Sequence, residues 1–241
     1  MFEVLIDMGG TFTDGVLIGE GGDIVVAKAV SNPNDAPEAI VRCIENLAHE
    51  SGMKLPELLE NTKTILIGTT LATNCILEGK GAKCCIIHTN GFKDTYELGR
   101  TIPKTDIYNL KVLPPNVLVP RYLRFGVEER MQYDGTVITA LNEQAVLDVA
   151  NKAKQQGVEV PIICFLHSYI NPAHEERAAE IIRGEFPDVV VSSRITRRWI
   201  EYDRLSTATL AAYVKPMVAN FVGTLESRLK KGRFTGTVLF S

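Results

Sequence analysis

The residues with the clearest chemical potential lie near the start of the chain. An apolar run, residues 2–6, leads into an acid, a Gly-Gly pair and a short polar segment, and a second apolar run follows. This order predicts a strand, a glycine turn and a second strand. It fits neither the Walker pattern nor the dinucleotide-binding glycine pattern. The polar and glycine residues of the segment are Asp7, Gly9, Gly10, Thr11, Thr13 and Asp14.

Such a turn could bind phosphate. Gly9 and Gly10 have no Cβ, so the chain can turn tightly and expose its amides, and successive amides form an anion-binding concavity. The hydroxyls of Thr11 and Thr13 are further donors. Asp7 is an anion and cannot attract phosphate directly, but it could hold Mg²⁺, or the waters of Mg²⁺, beside the phosphate oxygens. The competing interpretation is an ordinary hairpin with a Gly-Gly turn.

A second group of candidates lies where a predicted strand, 64–67, meets a predicted helix. The first-turn amides of a helix have no partner within the helix and attract anions, so this group could bind an anion or a substrate. The alternative is that a threonine here only caps the helix. The residues concerned are Gly68, Thr69, Thr70 and Asn74.

Two single residues are further candidates. Arg100 stands beside a proline-rich connection and could hold a carboxylate or phosphate with two hydrogen bonds; the alternative is a solvated arginine at a helix C terminus. His167 ends a buried apolar strand, where open α/β sheets bind ligands, and an imidazole could transfer a proton there. A histidine that only hydrogen-bonds the neighbouring loop is an equal alternative. His174 is expected at the surface. Residues 201–204 are expected to cap a long helix and form a salt-bridge network; the alternative is that they face a cleft between subdomains.

A layered α/β framework must position these residues. Apolar runs alternate with amphipathic segments, which predicts strands with covering helices. Asn34 or Asp35 is expected to cap the first helix, and Asn142 a later one. A subdomain boundary is expected at 90–118, which divides the chain into 1–90, 91–200 and 201–241. Further predicted segments are a hairpin over 125–133 and 136–141 around an Asp-Gly turn, a strand over 189–192 and a long helix over 203–231.

Composition excludes several classes of protein. The chain has 241 residues, of which 45% are hydrophobic, and this is enough for a core. The net charge of −3 and a pI near 5.9 give no footprint for nucleic acid. No run approaches the ~18 apolar residues of a membrane span, and the N-terminus does not resemble a signal peptide. The five cysteines are interpreted as reduced, buried thiols of a cytoplasmic protein.

Six stretches resemble signatures of one known family. DMGGTFTD, residues 7–14, resembles the first phosphate motif of the hydantoinase A/5-oxoprolinase family, whose members have the actin-like ATPase fold. The resemblance covers nearly the whole chain and corresponds to the N-terminal half of full-length members. The other stretches, in the family's order, are IGTTLATNCILEGKGAK (67–83), GFKDTYELGR (91–100), LVPRYLRFGVEER (118–130), CFLHSYINPAHE (164–175) and EYDRLSTATLAAYVKP (201–216).

The resemblance implies a fold, cofactors and residue roles. The implied fold is an α/β, actin-like (ribonuclease H-like) ATPase lobe with a mixed sheet and covering helices, and the implied cofactors are ATP and Mg²⁺. Catalytic roles are expected for Asp7, Thr11 and His167, and Asp7 is the expected magnesium ligand. Expected ATP contacts are Asp7, Gly9, Gly10, Thr11, Thr13 and Asp14, and expected substrate contacts are Gly68, Thr69, Thr70, Asn74 and Arg100.

The family also implies an activity and partners. Its members use ATP to activate a small carbonyl substrate by phosphorylation, and they either hydrolyse a cyclic amide, such as 5-oxoproline, or carboxylate a ketone, such as acetone. Full-length members carry a second phosphate motif beyond the segment that ends here in VLFS, residues 238–241. We therefore expect a subunit that supplies this missing half, a hydantoinase B-type subunit, and little ATP turnover by the chain alone. The alternatives are a non-catalytic scaffold lobe and a small-molecule kinase.

Overall fold

The computed structural model describes residues 1–32, 35–99 and 117–241. Groups of one to three strands are separated by one or two helices along these residues, and a 3₁₀ turn, Arg121–Leu123, precedes the sixth strand. The strands are β1 (Phe2–Met8), β2 (Phe12–Gly19), β3 (Ile24–Val30), β4 (Thr62–Thr69), β5 (Cys84–Thr89), β6 (Arg124–Val127), β7 (Arg130–Met131), β8 (Val137–Thr139), β9 (Val160–Cys164), β10 (Val190–Val191) and β11 (Thr237–Phe240). The helices are α1 (Ala36–Glu50), α2 (Leu55–Glu60), α3 (Leu71–Leu77), α4 (Thr95–Leu98), α5 (Glu143–Gln155), α6 (Ala173–Ile182), α7 (Ser192–Ile195) and α8 (Glu201–Lys231).

The described residues form two compact units. The first unit contains Met1–Gly79 and Met217–Ser241, and the second contains Lys80–Pro216. Helix α8 contributes to both, because the division falls at Pro216 within it. The division into three segments expected from the sequence stays a prediction.

The described part of the first unit is built on a five-stranded mixed sheet. The strand order is β11-β4-β1-β2-β3; β1, β2 and β3 are antiparallel neighbours, whereas β4 runs parallel to both β1 and β11. Helix α1 covers one face with a stripe of fully buried side chains. It begins at Asp35, whose Oδ1 accepts a hydrogen bond from the Glu38 amide at 3.2 Å, so the predicted cap is confirmed. A hydrogen bond from Arg228 holds the pKa of the Asp35 carboxyl below its usual value.

Gly15 allows α1 to approach the sheet closely. A Cβ at this position would lie 2.7 Å from Cys43 Sγ and 3.0 Å from Leu47 Cδ1, both in the buried stripe of α1. We expect Gly15→Ala to lower the free energy of unfolding by about 1–3 kcal/mol, because the helix must shift to admit the methyl group.

Chemical denaturation of the two glycine variants checks this prediction. Gly10→Ala is the matched control from the same hairpin, since a Cβ there has no heavy atom within 4 Å. The free energy of unfolding of Gly10→Ala should differ from that of the wild type by no more than about 0.5 kcal/mol, as for other surface substitutions. Equal stabilities of the Gly15 and Gly10 variants would contradict the close-packing explanation.

In the described part of the second unit, four parallel strands form a sheet in the order β10-β9-β5-β6. The sequence predicts a hairpin over 125–133 and 136–141, and this prediction is wrong for the residues of β6. Residues of β6 pair in parallel with β5, which is buried along its whole length, and only β7 and β8 form the antiparallel pair. Burial of Arg124 and Val127 beside β5 stabilises the parallel pairing, which a local hairpin signal does not reveal.

Two further element boundaries differ from the sequence prediction. The strand expected over 189–192 is only Val190–Val191, because Ser192 turns into α7 and hydrogen-bonds to the buried Glu175 carboxylate at 2.7 Å. Helix α8 begins at Glu201, two residues before the expected start. The cap of α5 is as expected, since Asn142 Oδ1 accepts a hydrogen bond from the Ala145 amide at 3.0 Å.

All five cysteines lie among the described residues, and each is buried and unpaired, as expected. Burial raises the pKa of Cys43 to about 11 and the pKa values of Cys84, Cys85 and Cys164 to about 12. These thiols are therefore protonated near neutral pH, and they are core side chains rather than nucleophiles. No helix within the described residues is long and apolar enough to cross a membrane.

Candidate functional site

The predicted glycine turn is the tip of the hairpin formed by β1 and β2. Met8 faces Thr13 across the hairpin, and the Gly9 amide donates to the Phe12 carbonyl at 3.0 Å. Gly10 and Thr11 form the tip, and their amides donate to no described acceptor. Both residues are exposed, and a Cβ added to Gly10 would have no heavy atom within 4 Å. The tip can therefore present unpaired donors to an anion, as a phosphate-binding turn requires.

Ser31, directly after β3, fixes the shape of this turn. Its amide donates to the Thr11 carbonyl at 2.9 Å, and its hydroxyl donates to the Gly9 carbonyl at 2.8 Å. The Thr13 hydroxyl is fully buried and lies 3.0 Å from the same Ser31 oxygen. Ser31 was not among the predicted site residues, and its place directly after the apolar run of β3 was the signal that could have identified it. The phosphate role predicted for Thr13 stays a prediction, and the structure places its hydroxyl inside this network.

Asp7 lies near the end of β1, and the strands on either side of it, β2 and β4, each carry another predicted site residue. It faces Asp14 on β2 and Gly68 on β4 across the sheet. Lys28 neutralises Asp14 through an ion pair of 3.0 Å, whereas the carboxylate of Asp7 is exposed and makes no hydrogen bond or ion pair with a described residue. A Cβ on Gly68 would lie 3.6 Å from Asp7 Oδ1, an ordinary contact distance, so Gly68 is a direct neighbour of this carboxylate. An exposed, unpaired carboxylate beside free amides fits Mg²⁺ held next to a phosphate.

The other residues of the second predicted group have local partners. The Thr69 hydroxyl accepts a hydrogen bond from the Leu71 amide at 3.1 Å, and the Asn74 side chain donates to the Thr70 hydroxyl at 3.3 Å. Thr69 thus satisfies the first amide of α3, whereas Thr70, at the N-cap position, makes no capping hydrogen bond with its side chain. The substrate roles of the group stay predictions. Arg100, the remaining predicted substrate contact, lies outside the described residues.

A second polar cluster lies in the second unit, where β5 and β9 end. The Thr89 hydroxyl donates to the buried Glu129 carboxylate and accepts a hydrogen bond from the Leu166 amide at 2.9 Å. Glu129 also lies 2.8 Å from His174 Nδ1, whose side chain is only 12% exposed. The expectation of a surface position for His174 is therefore wrong. Its helix register alone gave no sign of an acid 45 positions earlier in the chain.

A buried ionic frame supports the end of β9. The Glu175 carboxylate is fully buried and accepts hydrogen bonds from the Phe165 amide at 2.8 Å and the Ser193 amide at 3.0 Å. Arg204, also fully buried, donates to Ser192 Oγ at 3.0 Å and to the Phe165 carbonyl at 2.7 Å. Ser192 in turn donates to Glu175, so it links the two charges. Arg204 was expected in a cap of the long helix, and the structure gives it this buried role instead.

His167 lies directly after this frame, at the carboxyl end of β9. Its φ of 56° is in the left-handed region, and its carbonyl accepts hydrogen bonds from Ile170 and Asn171 in the turn that follows. Its ring is partly exposed, and burial, followed by the charges of Arg130 and Arg204, lowers its pKa. A neutral imidazole at the end of a parallel strand is placed where α/β sheets bind ligands. Its catalytic role stays a prediction.

The fold and the loop together define a class of protein, an α/β lobe with a mixed sheet that carries a strand–glycine turn–strand motif. The family model for the hydantoinase/oxoprolinase N-terminal region matches residues 3–186. The chain belongs to this family, as the resemblance indicated.

Named relatives come from both branches of the family. Caprolactamase subunit alpha of Pseudomonas jessenii is 33% identical over 92% of this chain and 32% of its own length. The acetophenone carboxylase gamma subunit of Aromatoleum aromaticum is 32% identical over 97% of this chain and 34% of its own length. The solved structure of the ATP-dependent caprolactamase from Pseudomonas jessenii aligns over 99% of this chain and 35% of that chain, with 30% identity and a TM-score of 0.89.

These comparisons confirm the predicted fold class. The chain spans about a third of the length of the curated relatives it matches. The relatives are named as ATP-dependent enzymes or as enzyme subunits, which confirms the coarse expectation of a family that uses ATP to act on carbonyl compounds.

Proposed function

We propose that this chain supplies a phosphate-binding lobe of an ATP-dependent enzyme that activates a carbonyl substrate by phosphorylation. The substrate class is a cyclic amide that is hydrolysed or a ketone that is carboxylated, since the relatives include a caprolactamase and an acetophenone carboxylase. Gly10 and Thr11 would hold the phosphates, and Asp7 would hold Mg²⁺. When bound, the metal neutralises negative charge on the phosphate oxygens.

One observation carries the proposal. The unpaired amides of Gly10 and Thr11 and the unpaired Asp7 carboxylate lie at the same end of the sheet in the first unit. An ordinary hairpin gives no reason for this combination, because Lys28 pairs with Asp14 whereas Asp7 has no described cation of its own. A Mg²⁺ ion between Asp7 and a bound phosphate would supply that cation.

The proposed partners are a subunit that supplies the rest of the ATP site and a hydantoinase B-type subunit. Support comes from the relatives, which are about three times as long as this chain and are named as subunits.

The sheet of the first unit has a surface suited to association, which also favours the alternative of a scaffold lobe. On the face opposite the core, an apolar row crosses the sheet in register from Leu239 through Leu66, Leu5 and Val16 to Val26.

Nucleotide titration tests the proposal. The chain, alone and in its native complex, is titrated with a non-hydrolysable ATP analogue in an isothermal calorimeter, in the presence and absence of Mg²⁺. We expect saturable binding that requires Mg²⁺, because the triphosphate must approach the Asp7 carboxylate. Absence of nucleotide binding in both samples would overturn the proposal and leave the scaffold alternative.

A further inference from the structure

A small cavity opens in the second unit beside the polar cluster. Its volume is about 10 Å³, close to the smallest space that holds one water molecule or one oxygen atom of a ligand. The cavity lies at the carboxyl end of β5, the usual place for a ligand in a parallel sheet. Its lining residues are His88, Thr89, Phe92, Thr95, Cys164, Leu166, Glu201 and Leu205.

His88 is the unusual member of this lining. The side chain is buried, with 3% of its surface exposed, and its Nε2 has no hydrogen-bond partner among the described residues. An unsatisfied buried polar atom costs about 1–3 kcal/mol, so such atoms are rare unless something else satisfies them. A ligand or water in the adjacent cavity would remove this cost.

We propose that the cavity receives the carbonyl oxygen of a small uncharged substrate, and that His88 Nε2–H donates a hydrogen bond to this oxygen. A water molecule occupies the same position when no substrate is bound. This inference rests on the proposed function, because that function supplies the carbonyl class of the substrate.

The chemistry of the lining selects an uncharged ligand. The lining contains an acid, Glu201, and neither lysine nor arginine, and the nearby Arg124 is already paired with Glu97 at 2.9 Å. An anion would therefore lie beside a carboxyl group without a free cation to compensate it. Burial, together with the charge of Arg124, lowers the pKa of His88 to about 3, so the imidazole is neutral near pH 7. A neutral imidazole can still polarise a carbonyl group as a hydrogen-bond donor, as in triosephosphate isomerase.

The size of the cavity explains how a larger substrate would bind. Only the oxygen needs to enter, and the remainder of the substrate would lie outside, beside Phe92. Phe92 lines the cavity, is still 37% exposed, and has the Arg130 guanidinium 5.3 Å from its ring centroid. The lining combines four apolar side chains with four polar ones, and polar groups among apolar side chains are what orients a ligand in a small-molecule site.

Nitrogen NMR of the histidine side chains tests the inference on the intact chain. The protein has four histidines, so ¹⁵N-histidine labelling gives few, separable signals, and acetone and ε-caprolactam serve as probes. We expect His88 to be the Nε2–H tautomer, and its Nε2 signal to shift saturably with each probe. His49, on α1 with 89% of its side chain exposed, is the internal control and should not shift. A bare Nε2 on His88, or equal shifts of His49 and His88, would overturn the inference.

Two variants separate ligand binding from a structural role. His88→Leu removes the donor and should weaken probe binding about 3- to 10-fold, the value of one neutral hydrogen bond. His88→Gln keeps an N–H donor and should recover most of the affinity. The melting temperature of His88→Leu should be unchanged or higher, because an unsatisfied group is removed. Loss of stability in His88→Leu with undiminished probe binding would mean a structural histidine.

The outcomes also distinguish this inference from the proposed function. If the chain binds Mg²⁺-nucleotide but His88 does not respond to either probe, the carbonyl site is wrong and the phosphate loop stands. If His88 responds but no nucleotide binds, the phosphate loop is wrong and the carbonyl site stands.

Discussion

Replacing Glu175 with alanine should lower the stability of the second unit by about 3–5 kcal/mol, which is the usual cost of removing one partner from a buried ionic group. The variant leaves the Phe165 and Ser193 amides without their acceptor, and it leaves the buried Arg204 cation without the carboxylate that Ser192 links to it. Whole domains are stable by only about 5–15 kcal/mol. We therefore expect the variant to lose a large fraction of the free energy of unfolding of the second unit.

Glu176 provides a matched control because it is the next residue on the same helix. It pairs with Arg194 at the surface, and an exposed pair of this kind contributes about 0–1 kcal/mol. Hydrogen exchange measured on peptides from β9 reports the stability of the second unit separately from the first. Protection should fall strongly in Glu175→Ala and hardly at all in Glu176→Ala. Similar protection in the two variants would show that the ionic frame does not stabilise the end of β9.

Replacing Asp7 with alanine should weaken Mg²⁺-nucleotide binding about 10- to 100-fold. This range corresponds to the loss of one charge-assisted interaction of about 1.5–3 kcal/mol. The same variant should be about as stable as the wild type, because Asp7 is exposed and makes no hydrogen bond or ion pair with a described residue, and such surface changes usually alter the free energy of unfolding by no more than about 0.5 kcal/mol. A loss of affinity without a loss of stability is typical of a binding residue.

Glu3→Ala is the control for this experiment. Glu3 is an exposed acid on the same strand and the same face of the sheet as Asp7, but it lies at the other end of β1. Calorimetric titration with a non-hydrolysable ATP analogue should give the wild-type affinity for Glu3→Ala and the weakened affinity for Asp7→Ala. If the two variants bind equally well, general surface charge rather than a magnesium-binding carboxylate attracts the nucleotide.

The sequence by itself determined the features that depend on neighbouring residues. Asp35 and Asn142 were expected as helix caps and act as such, because a cap acts across only three positions of the chain. The turn between β1 and β2 was predicted from its glycines and the apolar runs beside it. The mixed α/β fold followed from the alternation of elements and from six motifs in the family's order, which the family match over residues 3–186 supports.

Only the tertiary structure decided which distant side chains meet. Ser31 fixes the glycine turn from 22 positions away, His174 meets Glu129 across 45 positions, and Arg204 reaches the Phe165 carbonyl across 39. Each of these residues has an ordinary local context, so its sequence neighbourhood predicts a solvated side chain. For His174 and Arg204, burial removes water as the hydrogen-bond partner, and the chain must supply that partner from another element. Such pairings depend on sheet order and register, which no short stretch of sequence contains.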